Sequence, residues 1–115
     1  MIALDTTAII DIFKGDLKLK NVIEGVNEEF VTTIINHQEI MFGLDLSDDD
    51  YKKEELYYNE FFQDVMIVSL TVEASKKGSE IFWKLKHKGK DIGRFDCMIA
   101  GILLTHGINK IITRN

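Results

Sequence analysis

Hydrophobic residues in this chain form short continuous runs separated by longer stretches in which apolar and polar positions alternate with helical spacing. The runs are apolar, β-branched or aromatic and only three to five residues long, which is typical of buried strands. Four strands are therefore predicted, at residues 2–4, 29–33, 65–68 and 110–113. We expect all four to be buried in one sheet.

The stretches between these runs have the spacing of amphipathic helices. Apolar residues at Ile9, Ile10, Phe13 and Leu17 predict a first helix that begins after Asp5 and continues through Leu17. Further helices are predicted at residues 34–43, 47–62, 71–88 and 93–106, several of them ending at a glycine. Strands that alternate with helices and lack tight hairpin turns favour right-handed crossovers. The predicted fold is a three-layer α/β/α sandwich around a central parallel sheet.

Composition fits one globular domain. The chain has 115 residues, of which 45% are hydrophobic and 29% charged, so we expect a single domain over residues 1–115. A single cysteine, Cys97, excludes a disulfide scaffold and a metal site built from several thiolates. Because no apolar run is long enough for a membrane span or a secretory signal, the expected location is the cytoplasm.

Charge is unevenly distributed along this acidic chain, whose net charge is −5. Residues 84–94 contain five cations and one acid, and we call these cations the basic strip: Lys84, Lys86, Lys88, Lys90 and Arg94. Lys88, Lys90 and Arg94 are predicted to contact RNA phosphates, although a solvated helix face explains any single lysine equally well. Trp83 could stack on a base, but a half-buried helix anchor is the commoner role for such a residue.

Two acids follow the first two predicted strands. In open parallel sheets ligands bind beyond the carboxyl ends of the strands, so polar residues there are the first functional candidates. Asp5 ends the first strand, where it could equally be a helix N-cap. Glu39 shares a helix side with Ile35 and Phe42, so we expect it to be at least partly buried.

Asp96 is a third candidate. It precedes Ile99 and Leu103 by three and seven residues, which places it on the inward stripe of an apolar helix. The helix dipole explains an acid in the first turn but not its inward direction. A buried carboxylate needs a cation, a proton or a metal, and three acids near one sheet edge suggest Mg²⁺ or Mn²⁺. The three histidines show no zinc-ligand spacing with Cys97.

The ordered set of these motifs resembles the PIN-domain nucleases, particularly the short VapC-type toxins of toxin-antitoxin pairs. The matching pieces span almost the whole chain and are residues 2–10, Glu39, residues 92–100 and residues 111–115. The resemblance implies a metal-dependent endoribonuclease that forms a homodimer and pairs with a small antitoxin protein. Relatives usually continue through another short strand, so the family's last strand is expected to be missing.

The resemblance also implies roles for individual residues. Asp5, Glu39 and Asp96 would be the catalytic acids and would hold one or two Mg²⁺ or Mn²⁺ ions. Supporting roles fall to Thr6, as a hydroxyl near the first acid, and to Thr113 and Asn115 at the end of the chain. Asn115 is at or beside the position where many members have a fourth acid, and its neutral amide contributes no charge.

Two other classes of function remain open. A catalytically inert module could keep the PIN-like fold for partner contact, and the neutral Asn115 favours this alternative. An aspartyl phosphotransferase or receiver domain would also place an Asp after the first strand. The Asp-x-Asp start of the phosphotransferases is absent, however, because Thr7 follows Thr6. No glycine-rich nucleotide-binding motif is present.

Overall fold

The structure is a computed structural model that describes residues 1–114. These residues form four strands, six α-helices and one short 3₁₀ helix. The elements are β1 (Ile2–Leu4), α1 (Thr6–Phe13), α2 (Leu17–Glu24), β2 (Phe30–Thr33), α3 (Ile34–Phe42), the 3₁₀ helix (Asp49–Tyr51), α4 (Lys52–Gln63), β3 (Met66–Val68), α5 (Val72–His87), α6 (Arg94–Thr105) and β4 (Ile111–Ile112). None of the helices in residues 1–114 has the length and apolar character needed to cross a bilayer.

The four strands form one parallel sheet in the order β3-β2-β1-β4. In the register Ala3 pairs with Val31 on one side and with Ile111 on the other. Strand β1 lies between β2 and β4. The connection from β1 to β2 and the connection from β3 to β4 therefore run in opposite directions across the sheet. The carboxyl end of β1 is therefore the point of the sheet where a ligand site is expected.

Helices cover both faces of the sheet, and each face has its own buried cluster. Successive residues of a strand point to opposite faces, and accordingly Ala3 belongs to one cluster and Leu4 to the other. The first cluster joins the sheet to α5 and α6, and its members include Val31, Ala74 and Ile102. The second contains residues of α1, α3 and α4. This arrangement confirms the predicted three-layer sandwich.

Helices α5 and α6 approach each other closely at two glycines. A Cβ placed on Gly101 would lie 2.5 Å from the carbonyl oxygen of Ala74 and 2.8 Å from the backbone nitrogen of Gly78. One placed on Gly78 would lie 3.1 Å from the carbonyl oxygen of Cys97. Since any side chain at residue 101 would force the helices apart, their relative position is tightly defined.

The prediction of one helix through Leu17 is wrong. Helix α1 ends at Phe13 because Gly15 adopts a φ of +79°, a conformation that glycine takes without strain. The side chain of Asp16 then accepts a hydrogen bond from the N–H of Leu19 and caps a separate helix, α2. Leu17, which the spacing placed on the inner side of the first helix, is 72% exposed.

Candidate active site

Asp5 lies at the end of β1, at the N-cap position of α1, yet its side chain makes no capping hydrogen bond. Its Oδ1 accepts a hydrogen bond of 2.9 Å from Nδ2 of Asn36, and its Oδ2 accepts one of 2.9 Å from the hydroxyl of Thr113. The alternative role as a helix cap therefore does not account for this carboxylate. Both of its oxygens are positioned by neighbouring elements instead.

Asn36 was not identified from the sequence, although it connects the two acids on the β1–β2 side of the site. It lies in the first turn of α3 and is only 1% exposed. Its Oδ1 accepts the hydroxyl proton of Thr33 at 2.7 Å, so its amino group must point the other way. That group donates to Asp5 and, at 3.0 Å, to the hydroxyl of Thr6. The capping box formed by Thr33 and Asn36 was the available signal.

Glu39 is half-buried on α3, as expected, and its Oε1 accepts a hydrogen bond of 2.7 Å from the hydroxyl of Thr6. Thr6 thus donates to Glu39 and accepts from Asn36, so Glu39 is connected to Asp5 through two neutral side chains. Thr6 lies where its supporting role was predicted. The expectation that Phe42 shares a buried side with Glu39 is wrong, since Phe42 is 71% exposed at the last turn of α3.

Asp96 and Asp5 line the same cleft, which has a volume of about 500 Å³. Ile99 and Leu103 line it too, so the predicted side of α6 is correct. The expectation that Asp96 is buried is wrong. Its position in the first turn of α6 leaves the carboxylate exposed at the rim of the cleft, whereas Ile99 and Leu103, further along the helix, are 5% and 7% exposed.

The donor set suits a hard cation. Neither Asp5 nor Asp96 has a Lys or Arg partner within 4 Å among residues 1–114, and Lys110, which lines the same cleft, forms its ion pair with Glu28 instead. The carboxamide of Asn36 and the hydroxyl of Thr113 donate to Asp5 and bring no positive charge, so the carboxylate oxygens stay available to Mg²⁺ or Mn²⁺, which prefer oxygen ligands. Glu39 does not line the cleft. Across the described residues no three Asp, Glu, His or Cys side chains gather closely enough to make a complete metal-ligand cluster.

The segment after β4 is hydrogen-bonded to α1 through Arg114, and these bonds help to keep Thr113 beside Asp5. The guanidinium group of Arg114 donates two hydrogen bonds to the carboxylate of Asp11, one of them from Nε at 3.1 Å. The backbone N–H of Arg114 donates to the hydroxyl of Thr7 at 3.0 Å. The hydrogen bonds from Arg114 hold the pKa of Asp11 below its ordinary value. The sequence analysis did not identify this contact.

The predicted RNA contacts do not line the cleft of Asp5 and Asp96. Lys88, Lys90 and Arg94 are exposed, and within residues 1–114 none of them forms an ion pair. Arg94 is the first residue of α6, and it lines a groove between α5 and α6 rather than the cleft of Asp5. Asn115, the other predicted supporting residue, lies outside the described residues.

These features define a class: a three-layer α/β/α domain with an acidic cleft at the carboxyl edge of a parallel sheet. The family model described as the PIN domain matches residues 2–115, and the chain belongs to that family. A search of curated proteins finds no match.

Solved structures share the fold over the full length of the chain. VapBC2 from Rickettsia felis, bound to a DNA fragment from its promoter, matches with a TM-score of 0.87 and 21% identity, covering 100% of this chain and 88% of the other. VapBC-1 from nontypeable Haemophilus influenzae matches with 0.83 and 24%, covering 100% and 87%. VapC20 from Mycobacterium tuberculosis, described as a sarcin-ricin loop cleaving toxin, matches with 0.73 and 14%, covering 100% and 90%. The predicted PIN-like fold is thus confirmed.

Proposed function

We propose that this chain is a Mg²⁺- or Mn²⁺-dependent endoribonuclease and the toxin of a toxin-antitoxin pair. The observation that carries the proposal is the carboxylate of Asp5. Asn36 and Thr113 hold both of its oxygens in place, and it faces a cleft shared with Asp96 without a cationic partner among residues 1–114. A fixed, uncompensated carboxylate of this kind is what a cation site requires.

Asp5 and Asp96 would hold the ion in the cleft that they share, and Glu39, which is linked to Asp5 through Thr6 and Asn36, would be the third acid of the site. The chemistry that a bound divalent cation supplies is a water ligand of lowered pKa and neutralisation of charge on the phosphate. Asn36 keeps Asp5 oriented, and Thr6, the first residue of α1, holds the carboxylate of Glu39 by a hydrogen bond. Thr113 restricts the second oxygen of Asp5. The protein thereby fixes the carboxylates of Asp5 and Glu39 before substrate arrives.

The proposal extends to substrate and partners. Lys88, Lys90 and Arg94 would contact phosphates of the RNA, since these exposed cations have no carboxylate neighbour in the described chain. The description of VapC20 as a toxin that cleaves the sarcin-ricin loop supports an RNA substrate. The neighbours described as VapBC complexes support a small antitoxin partner. We place the protein in the cytoplasm, in line with its single buried thiol.

A homodimer is part of the same proposal. The aromatic segment 57–62 offers little free surface for a dimer contact, because Tyr58 is 4% exposed and its aromatic neighbours pack against the same cluster. Apolar surface remains instead on α2 and α4, where Leu17, Val22 and Leu56 are exposed. Self-association at tens of micromolar, measured by sedimentation, checks this part of the proposal.

The decisive experiment incubates the purified protein with end-labelled RNA containing single-stranded loops, with Mn²⁺ or with EDTA. The proposal predicts discrete fragments with Mn²⁺ and none with EDTA. Binding of RNA without cleavage under either condition would identify an inert binding module instead. Asp64→Asn is a matched control for variants of the acids, because Asp64 is an exposed Asp at the end of α4, outside the cleft.

A further inference from the structure

A groove between α5 and α6 lies next to the acidic cleft but is separate from it. Its volume is about 390 Å³, in the range of ligand pockets. Gly78, Cys97 and Met98 line it, and Phe82, Trp83 and Arg94 lie along it as well. Because the two helices touch at Gly78 and Gly101, this groove is preformed. We call it the α5–α6 groove.

The aromatic wall of the groove carries cations. Nζ of Lys86 lies 5.5 Å from the centre of the Phe82 ring and 6.0 Å from that of Trp83. Cζ of Arg94 lies 6.0 Å from the centre of the Phe82 ring. Trp83 itself is 52% exposed, so about half of its surface is open to solvent. An open indole face flanked by cations offers stacking to a base and charge to its phosphates.

The charge of this surface selects its occupant. Of the five cations of the basic strip, Arg94 lines the groove and Lys86 lies over its aromatic rings, and no carboxylate among residues 1–114 is paired with any of the five. A two-fold contact between copies of this chain would place the same patch on both sides of the interface. Such a contact would oppose cations with cations. A polyanion gains from the same arrangement.

The α5–α6 groove and the acidic cleft are both lined by the start of α6. The first two turns of α6 contribute Arg94, Cys97 and Met98 to the groove, and Asp96 and Ile99 to the cleft. A strand with one phosphate at Asp96 would therefore reach the groove by crossing the start of this one helix. We infer that the α5–α6 groove is a subsite for a nucleotide flanking the cleaved bond, with its base stacked on Trp83 and a phosphate at Arg94.

This inference rests on the proposed function, because it takes RNA as the substrate. Trp83 is the only tryptophan of the chain, so its fluorescence reports on this groove alone. The test titrates the full protein in EDTA with a single-stranded RNA of about eight nucleotides. Emission from Trp83 measures stacking, and the anisotropy of a label on the RNA measures binding.

We expect the RNA to quench Trp83, and an abasic ribose-phosphate strand of equal length to bind without quenching it. Trp83→Ala should weaken RNA binding about tenfold, and Trp83→Phe should restore most of the affinity. Phe42→Ala, which removes an exposed aromatic residue remote from the groove, should bind like wild type. Thermal melting shows whether each variant is folded.

Normal RNA binding by Trp83→Ala, with no change in Trp83 emission for wild type, would overturn the inference. A loss of self-association in Trp83→Ala with RNA binding unchanged would also overturn it and make the groove a protein interface. The two proposals fail separately. Cleavage with Mn²⁺ but no quenching would refute only the groove, whereas quenching without cleavage would support the groove and refute the nuclease.

Discussion

Asp5 and Asp96 line the same cleft, but the protein holds their carboxylates differently. Asp5 is half-buried, and two side chains from separate elements donate hydrogen bonds to it. Asp96 is exposed at the first turn of α6, and its carboxylate has no hydrogen-bond partner among residues 1–114. One half of the candidate site is thus built by folding. The other half keeps its rotational freedom until something in the cleft binds it.

The fixed half depends on neutral donors. Asn36 and Thr113 fix both oxygens of Asp5 through hydrogen bonds without cancelling its charge, which an Arg or Lys partner would do. The position of Thr113 depends in turn on pairing between β1 and β4, where the N–H of Asp5 donates to the carbonyl oxygen of Ile112 at 3.0 Å. Substitutions at Asp5 and Asn36 should therefore change RNA cleavage or the free energy of unfolding more than substitutions at Asp96.

Asp5→Asn should have the largest effect on activity. The amide can still accept from Asn36, so the fold should persist, but the charge that a cation requires is gone. Cleavage of labelled RNA should fall at least about a hundredfold, as expected for a lost transition-state charge contact of several kcal/mol. Asp64→Asn should cleave like wild type. Undiminished cleavage by Asp5→Asn would remove this residue from the site.

Asn36→Ala should have the largest effect on stability. It leaves the hydroxyl of Thr33 without its acceptor and removes the donor to Asp5 at a position that is 1% exposed. Loss of such a buried network costs about 2–4 kcal/mol. Urea unfolding measures it, with Asn59→Ala on the exposed side of α4 as the matched control. Equal unfolding midpoints for the two variants would show that Asn36 does not organise the site.

Asp96→Asn tests the exposed half. In EDTA it should melt slightly above wild type, because it removes one of two uncompensated charges that share a cleft. Mn²⁺ at one hundred times its dissociation constant should stabilise wild type by about 2.7 kcal/mol. The variant should gain much less. If Asp96 is only an acid favoured by the helix dipole, the variant should melt lower in EDTA and gain as much from Mn²⁺ as wild type.

The smallest effect, a small loss of stability, is expected at the ion pair between Arg114 and Asp11. Since the hydrogen bonds from Arg114 lower the pKa of Asp11 below 3.8, the pair stabilises the fold above that pH and loses its contribution as pH falls through the lowered pKa. Arg114→Ala should therefore be slightly less stable than wild type at pH 7, and the difference should disappear in acid. Lys77→Ala, which breaks the exposed pair with Glu80, is the control. A difference that persists below the lowered pKa would contradict this role.

The sheet was predictable because each strand coincides with a short apolar, β-branched or aromatic run, and the segments between these runs have helical spacing instead. Helix α2 was missed because it has no buried residue and follows α1 after a short turn, so Leu17 looked like a continuation of the first helix. Periodicity places a residue around a helix axis but does not show how far the helix extends beyond the core. The predicted side of Asp96 was therefore correct, and its predicted burial was wrong.

The residues of the candidate site pointed to the acids alone, and the hydroxyls of Thr6 and Thr113 were named only through the family resemblance. Asp5 and Glu39 follow strands, and this position alone singles them out. Asn36 is a neutral residue whose role depends on three contacts with residues 3, 30 and 31 positions away, and such contacts exist only in the folded chain. Its position three residues after Thr33 marks a helix start, but the sequence does not show that the amide faces Asp5.

The central claim is that Asp5 and Asp96 together bind a divalent cation. Its most direct test is an equilibrium titration of Mn²⁺, followed through the electron paramagnetic resonance of the free ion, for wild type, Asp5→Asn, Asp96→Asn and Asp64→Asn. The account predicts that Asp64→Asn binds like wild type and that each of the other two variants binds at least about tenfold more weakly. Equal Mn²⁺ affinity in all four proteins would contradict it.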